Sequence, residues 1–204
     1  MVSIRELEKE EKNRIKTIAE LHKRAFPNFF LTQLGLPFLK TLYTGYLLDE
    51  NSGLIVAEDD TIVGFLAYSN DYSQFYRNLI KKHLIQFAIC SLGAVIKHPS
   101  FSKRILGAFK KSEAVKKDEK YVEISSICVD PKYKKEGIGS KLMKYVIKEV
   151  DFNTFSFINL ETDADNNDEV NRFYLRNGFA LERTYITQEG RRMNEYRYER
   201  KREN

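Results

Sequence analysis

The stretch "VDPKYKKEGIGSKLMKYV", residues 129–146, decides how this chain is read. It follows "YVEISSICV" (121–129), whose β-branched and apolar residues have the character of a buried strand. It runs into a helix expected over 138–150. The loop between them holds Lys134, Lys135, Gly137, Gly139 and Ser140. A helix N-terminus leaves backbone N–H groups unpaired and carries the positive end of the helix dipole. Glycine lets the backbone come close to an anion and take conformations closed to other residues. A diphosphate cradle is therefore physically reasonable, and so is a plain turn. The loop has neither the Lys-Ser/Thr pair of a Walker loop nor the third glycine of a dinucleotide fingerprint.

Working outward, 204 residues with 42% apolar and 13% aromatic content describe one ordinary globular domain, expected over 1–204. The formal charge of +5 comes from 34 basic residues intermixed with 29 acidic ones. Charge alone thus selects no partner, and no nucleic-acid motif accompanies it. Cys90 and Cys128 offer neither a disulfide framework nor metal spacing, so a cytoplasmic setting is expected. The N-terminus has no apolar signal core. The run "LIQFAICSLGAVI" (84–96) is far shorter than the ~20 residues that span a bilayer, so no integral membrane segment is expected.

Along the chain, "VSIREL" reads as a strand. Ile15, Ile18, Leu21 and Ala25 place a helix over 10–26 that stops before Pro27. Residues 30–48 form a second helical segment, broken near Gly35 and Pro37. Residues 53–59 and 61–69 make a hairpin, and residues 71–118 turn helical and basic. After the glycine loop come a strand at 155–162, a helix at 166–178 ending on Gly178, and a closing hairpin across residues 189–190. The order predicts a mixed α/β single domain with a helical insert of about 71–118 between strands 3 and 4.

Two motifs refine this. "ICVDPKYKKEGIGSKLM" resembles the acetyl-CoA-binding motif of the GNAT superfamily of N-acetyltransferases, with Val129, Pro131, Lys134, Gly137 and Gly139 in the motif positions. Lys134 stands where that family usually has Arg or Gln, and lysine lacks arginine's planar fork. "NNDEVNRFYLRNGF" resembles a second family motif through Asn167, Tyr174, Gly178 and Phe179, with Val170 in place of alanine. The resemblance implies a GNAT fold: a central twisted sheet, mixed but mostly antiparallel, flanked by helices, with two central strands splayed apart.

It also implies acetyl-CoA as co-substrate and acetyl transfer to a primary amine by direct attack in a ternary complex. Ile127 and Val129 are then the backbone contacts to the pantetheine arm. Lys134, Lys135, Gly137, Ile138, Gly139 and Ser140 surround the pyrophosphate, and Asn167 joins them at the cofactor. Tyr174, a phenol with a reference pKa near ~10, is the candidate general acid for the departing thiolate. Glu123 is the candidate general base, and strand alternation puts Glu123, Ser125, Ile127 and Val129 on one face, with Cys128 on the other. The alternatives are a packing role for Tyr174 and a solvated charge for Glu123.

The segment 25–39 resembles one found in GNAT proteins associated with bacterial surface-polysaccharide synthesis, which implies an amino-sugar acceptor touched by Phe29, Phe30 and Gln33. Core packing is the alternative for these residues. The insert, with Lys103, Arg104, Lys110 and Lys111, suits either a diphosphate or a solvated face. An acidic acceptor groove would instead favour a protein or peptide amine. A non-catalytic acyl-CoA-binding module is a further alternative. A monomer or homodimer is expected. No metal is expected: "ETDADNNDE" lacks a calcium loop's glycine, and His22, His83 and His98 are scattered.

Overall fold

The computed structural model describes residues 2–97, 119–188 and 190–200, without the side chains of residues 91–97. Seven strands form one sheet: β1 (Ser3–Glu6), β2 (Ser52–Asp59), β3 (Thr61–Ser69), β4 (Tyr121–Val129), β5 (Phe157–Asp163), β6 (Ala180–Ile186) and β7 (Arg192–Tyr198), in the order β1-β2-β3-β4-β5-β7-β6. Every neighbouring pair is antiparallel except β4 with β5. The helices are α1 (Ile15–Ala25), α2 (Phe30–Gln33), α3 (Leu36–Leu48), α4 (Tyr72–Lys97), α5 (Ile138–Glu149) and α6 (Asp168–Arg176). The expected mixed α/β architecture is present. The basic residues of the insert beyond 97, and the turn residue Glu189, lie outside the described residues.

The helix expected over 10–26 begins later. Residues Lys9–Arg14 wind as a 3-10 helix with Glu11 out of helical geometry (φ −83°, ψ 26°). The Glu11 carboxylate accepts hydrogen bonds from Arg5 (2.7 Å), Arg14 (3.2 Å) and the Glu8 N–H (3.1 Å), which fixes that tight turn before α1 starts. The break expected near Gly35 is real, because Gly35 takes a φ of +98° that separates α2 from α3.

The sheet is covered on both faces. On one, α1, α3 and α4 bury Ile18, Leu21, Leu39, Tyr43, Tyr46, Phe75 and Leu79 against Leu54, Phe65 and Cys128. On the other, α5 packs Ile138, Leu142, Met143 and Val146, and α6 packs Tyr174, against Leu66, Ile124, Leu160 and Tyr196. Each such side chain contributes about 1.5–3 kcal/mol on leaving water, so the central strands are held from both sides. Strands buried on both faces read as continuous apolar runs, as "LIVA" and "IVGFLA" do.

Two departures from regularity position the site. β4 pairs with β5 only from Tyr121 opposite Phe157 to Ile124 opposite Leu160. Beyond that point β4 stays with β3 and β5 stays with β7, so the sheet divides into a left and a right half. At the same level the β3 register slips: Tyr68 faces Ile124 and Ala67 faces Ser126, leaving Ser125 as the extra residue of a β-bulge.

Candidate active site

The bulge corrects one expectation. An extra residue reverses strand alternation, so Glu123 does not share a face with Ile127 and Val129. Val122 and Ile124 belong to the α5 face, and Ile127 and Val129 pack there too. Glu123, Ser126 and Cys128 lie on the face of α1 and α3. There the Tyr43 hydroxyl donates to Ser126 Oγ (3.4 Å), and the Cys128 thiol approaches the Leu21 carbonyl (3.7 Å). Cys128 therefore shares the Glu123 face, contrary to expectation. It is sealed in the core, where burial pushes its thiol well above the ordinary range, so it does not offer a thiolate.

Glu123 is almost fully buried and accepts a 2.7 Å hydrogen bond from Asn159 Nδ2 of β5. Asn159 stands opposite it at the last turn of pairing before the strands part. Ser125, one step further, is exposed in the middle of the sheet because β5 has moved away. Glu161 and Glu195 occupy the Glu123 face on β5 and β7, where they stand opposite each other. Glu195 is fully buried and pairs with Arg183 (2.6 Å) and Arg197 (3.4 Å).

Tyr174 lies on the other side of the sheet. It is 7% exposed and packs against Phe173, Phe179 and Tyr196, at ring-centroid distances of 5.4, 6.2 and 5.7 Å. Burial, reinforced by Tyr196, raises its pKa above the ordinary tyrosine value, which favours the protonated phenol. The two candidate acid–base groups thus lie on opposite faces of the sheet.

Between them runs the open edge of β4. The Asp130 N–H bonds to the Val63 carbonyl (2.8 Å) on β3. Antiparallel alternation then turns the amides of Cys128 and Ser126 toward β3, and those of Ile127 and Val129 into the split. At its C-terminal end β4 leads into the glycine loop. Lys135 and Gly137 both take left-handed conformations, with φ +74° in each case. Gly137 caps α5 with no side chain bonded to the free amides, and a Cβ there would meet nothing within 4 Å. The N–H groups of Ile138, Gly139 and Ser140 thus form an open, positively polarised concavity. Gly139 is needed for another reason: a Cβ would come within 3.2 Å of Phe173 on α6.

The other expected site residues fall as follows. Lys134 reaches Glu169 of α6 (3.0 Å), so it ties the loop to that helix while remaining exposed. Asn167 precedes α6 and spends its amide on Thr162 Oγ1 (2.8 Å) and the Asp163 carbonyl (3.0 Å). Phe29 is exposed and Phe30 half-buried at the start of α2, whereas the Gln33 amide is held by the Pro27 carbonyl (2.8 Å). Residues passed over in the sequence also build the site. Asp130 accepts from the Lys132 N–H (3.0 Å) and Arg24 (2.8 Å), and although burial opposes ionisation, these bonds hold it below the usual carboxylate range. Asn171 lies four residues past Asn167, on the same helix face; that spacing was the available signal.

Among the described residues no cluster could hold a metal, and no helix is long and apolar enough to cross a membrane. The family described as "Acetyltransferase (GNAT) family" matches residues 15–179 of the chain. No curated protein matches the sequence. Solved structures share the fold at low identity. A GNAT-family acetyltransferase from Desulfovibrio desulfuricans is 17% identical with a TM-score of 0.61, covering 98% of this chain and 99% of that one. Arabidopsis thaliana NAA60, solved in complex with acetyl-CoA, is 16% identical with a TM-score of 0.57, covering 98% of this chain and 98% of that one. A polyamine N-acetyltransferase from Drosophila melanogaster, which forms N-acetylagmatine, is 13% identical with a TM-score of 0.61, covering 98% of this chain and 100% of that one.

Proposed function

We propose that this chain, which belongs to the acetyltransferase (GNAT) family, binds acetyl-CoA in the split between β4 and β5 and transfers its acetyl group directly to a primary amine. The carrying observation is the open β4 edge at Ile127 and Val129, continuous with the uncapped N-terminus of α5. An extended amide-bearing arm can pair with such an edge, and a diphosphate suits the amides of residues 138–140. The thioester supplies an activated acyl carbon. A split-facing N–H of the β4 edge polarises its carbonyl as negative charge develops on oxygen. Glu123 takes the proton of the incoming ammonium on the α1/α3 face. Tyr174 delivers a proton to the leaving thiolate on the α5/α6 face. Approach from one face and departure at the other fits a single displacement.

For the acceptor, we favour a cationic amine such as a polyamine or a peptide amine. Glu123 and Glu161 sit at the mouth of the split on the acceptor face, where they attract an ammonium and repel a diphosphate. A nucleotide-linked amino sugar is the second reading; the exposed ring of Phe29 favours it as a stacking surface. The basic insert that would neutralise its phosphates lies outside the described residues. Thiol release from acetyl-CoA with a panel of polyamines, peptides and nucleotide amino sugars separates the two. Turnover confined to the sugars would overturn the cationic assignment.

A further inference from the structure

Strands that part inside a sheet leave two raw edges, and here the two are treated differently. On β5, the Ala164 N–H bonds to the Arg192 carbonyl of the β7 segment (2.9 Å). By alternation the carbonyl of Asp163 points the other way, into the split. That carbonyl accepts from Asn167 Nδ2 (3.0 Å) and from Asn171 Nδ2 (3.2 Å). Asn171 also donates to the Asn167 carbonyl (2.9 Å) and accepts from Asn194 Nδ2 (2.9 Å) and the Tyr196 hydroxyl (2.9 Å). Its two donors and two acceptor positions are thereby filled. Asn194 in turn accepts from Thr184 on β6 (2.7 Å), so the network reaches across the whole right half of the sheet. On β4, among the described residues, no side chain bonds to the split-facing amides of Ile127 and Val129.

We propose that Asn167 and Asn171 are positioning residues that act as a wedge: by occupying the Asp163 carbonyl they stop β5 from re-pairing with β4, and so keep the β4 edge open. This rests on the reading that acetyl-CoA lies along that edge. An unpaired carbonyl at Asp163 would compete for the same β4 amides that the ligand needs, since buried backbone groups seek partners. The wedge therefore assigns Asn167 a job on the protein rather than on the cofactor.

The test compares wild type with Asn167→Ala/Asn171→Asp. The aspartate keeps the acceptors for Asn194 and Tyr196 but cannot donate to Asp163. Amide-resolved hydrogen exchange is followed without ligand and with acetyl-CoA, with circular dichroism as the check on folding. The wedge predicts that Ile127 and Val129 exchange about tenfold more slowly in the ligand-free variant than in ligand-free wild type, and that acetyl-CoA binds about tenfold more weakly. A merely structural role would loosen the region and speed exchange. Should the variant fail to fold, Asn167→Ala alone carries the same prediction at smaller amplitude, because α6 gains no side-chain cap from Asn167. Unchanged or faster exchange at both amides overturns the wedge and leaves the acetyl-CoA reading standing. If acetyl-CoA fails to protect Ile127 and Val129 in wild type, the reading of the edge falls first and the wedge with it.

Discussion

Tyr174 and His22 are both buried titratable residues, and burial does opposite things for them. For Tyr174 it raises the pKa above the ordinary tyrosine value and so favours the protonated phenol. On the proposed general-acid role, Tyr174→Phe is expected to lower kcat by about 100-fold while acetyl-CoA affinity holds. Calorimetric titration beside turnover measures both quantities. For His22, packed against Phe26 with Nδ1 2.6 Å from Tyr43 Oη, burial lowers the pKa from 6.5 to about 4. The unfolded chain then binds the extra proton between those values, so stability rises with pH across that window and is lost on acidification. The loss at pH 4 is of the order of 3 kcal/mol relative to neutrality. His22→Gln should flatten that acid limb in urea titrations run from pH 7 to pH 4. At this scale the motif singled out Tyr174 as a candidate, but strand alternation misplaced Glu123 and Cys128 relative to Ile127 and Val129. Period-two counting assumes a regular strand. The extra residue at Ser125 is a property of how β3 and β4 pair, which neither strand's own residues announce.

The strand–loop–helix unit was legible because each part follows local rules: β-branched residues, left-handed glycine, then helical periodicity. Its two glycines nevertheless do different work. Gly137 needs only its φ of +74°, with open space around it. Gly137→Ala should cost about 1–2 kcal/mol of stability through backbone strain alone. Gly139→Val should instead push α5 off Phe173, at a cost of about 1–3 kcal/mol from overpacking. Thermal melts of the two variants, set beside their acetyl-CoA affinities, check this. Both should bind the co-substrate more weakly, Gly139→Val with the larger fall in melting temperature. The extent of the split was not legible, because it depends on where β5 leaves β4 and on two asparagines, Asn167 just before α6 and Asn171 within it, that bond the Asp163 carbonyl only in three dimensions.

For the molecule as a whole, the proposed function puts donor chemistry on the α5/α6 face and acceptor chemistry on the α1/α3 face. One described link between them is Arg24 of α1 on Asp130, beside the glycine loop. Arg24→Ala should weaken acetyl-CoA but not acetyl-pantetheine, which lacks the pyrophosphate, by a few-fold in a binding titration. Element order and fold class were readable because strands and helices alternate with clear periodicities. The acidic cluster that we propose receives the acceptor was not, because Glu123, Glu161 and Glu195 are far apart in sequence and meet only when β4, β5 and β7 are neighbours. The central claim is direct transfer across the split, with no acetyl-enzyme. Thiol release from acetyl-CoA, followed first without and then with a cationic amine, tests it most directly. The account predicts negligible release until the amine is added, and steady amine-dependent release afterwards. A burst of one thiol per protein before any amine arrives, or no release with any amine, would contradict it.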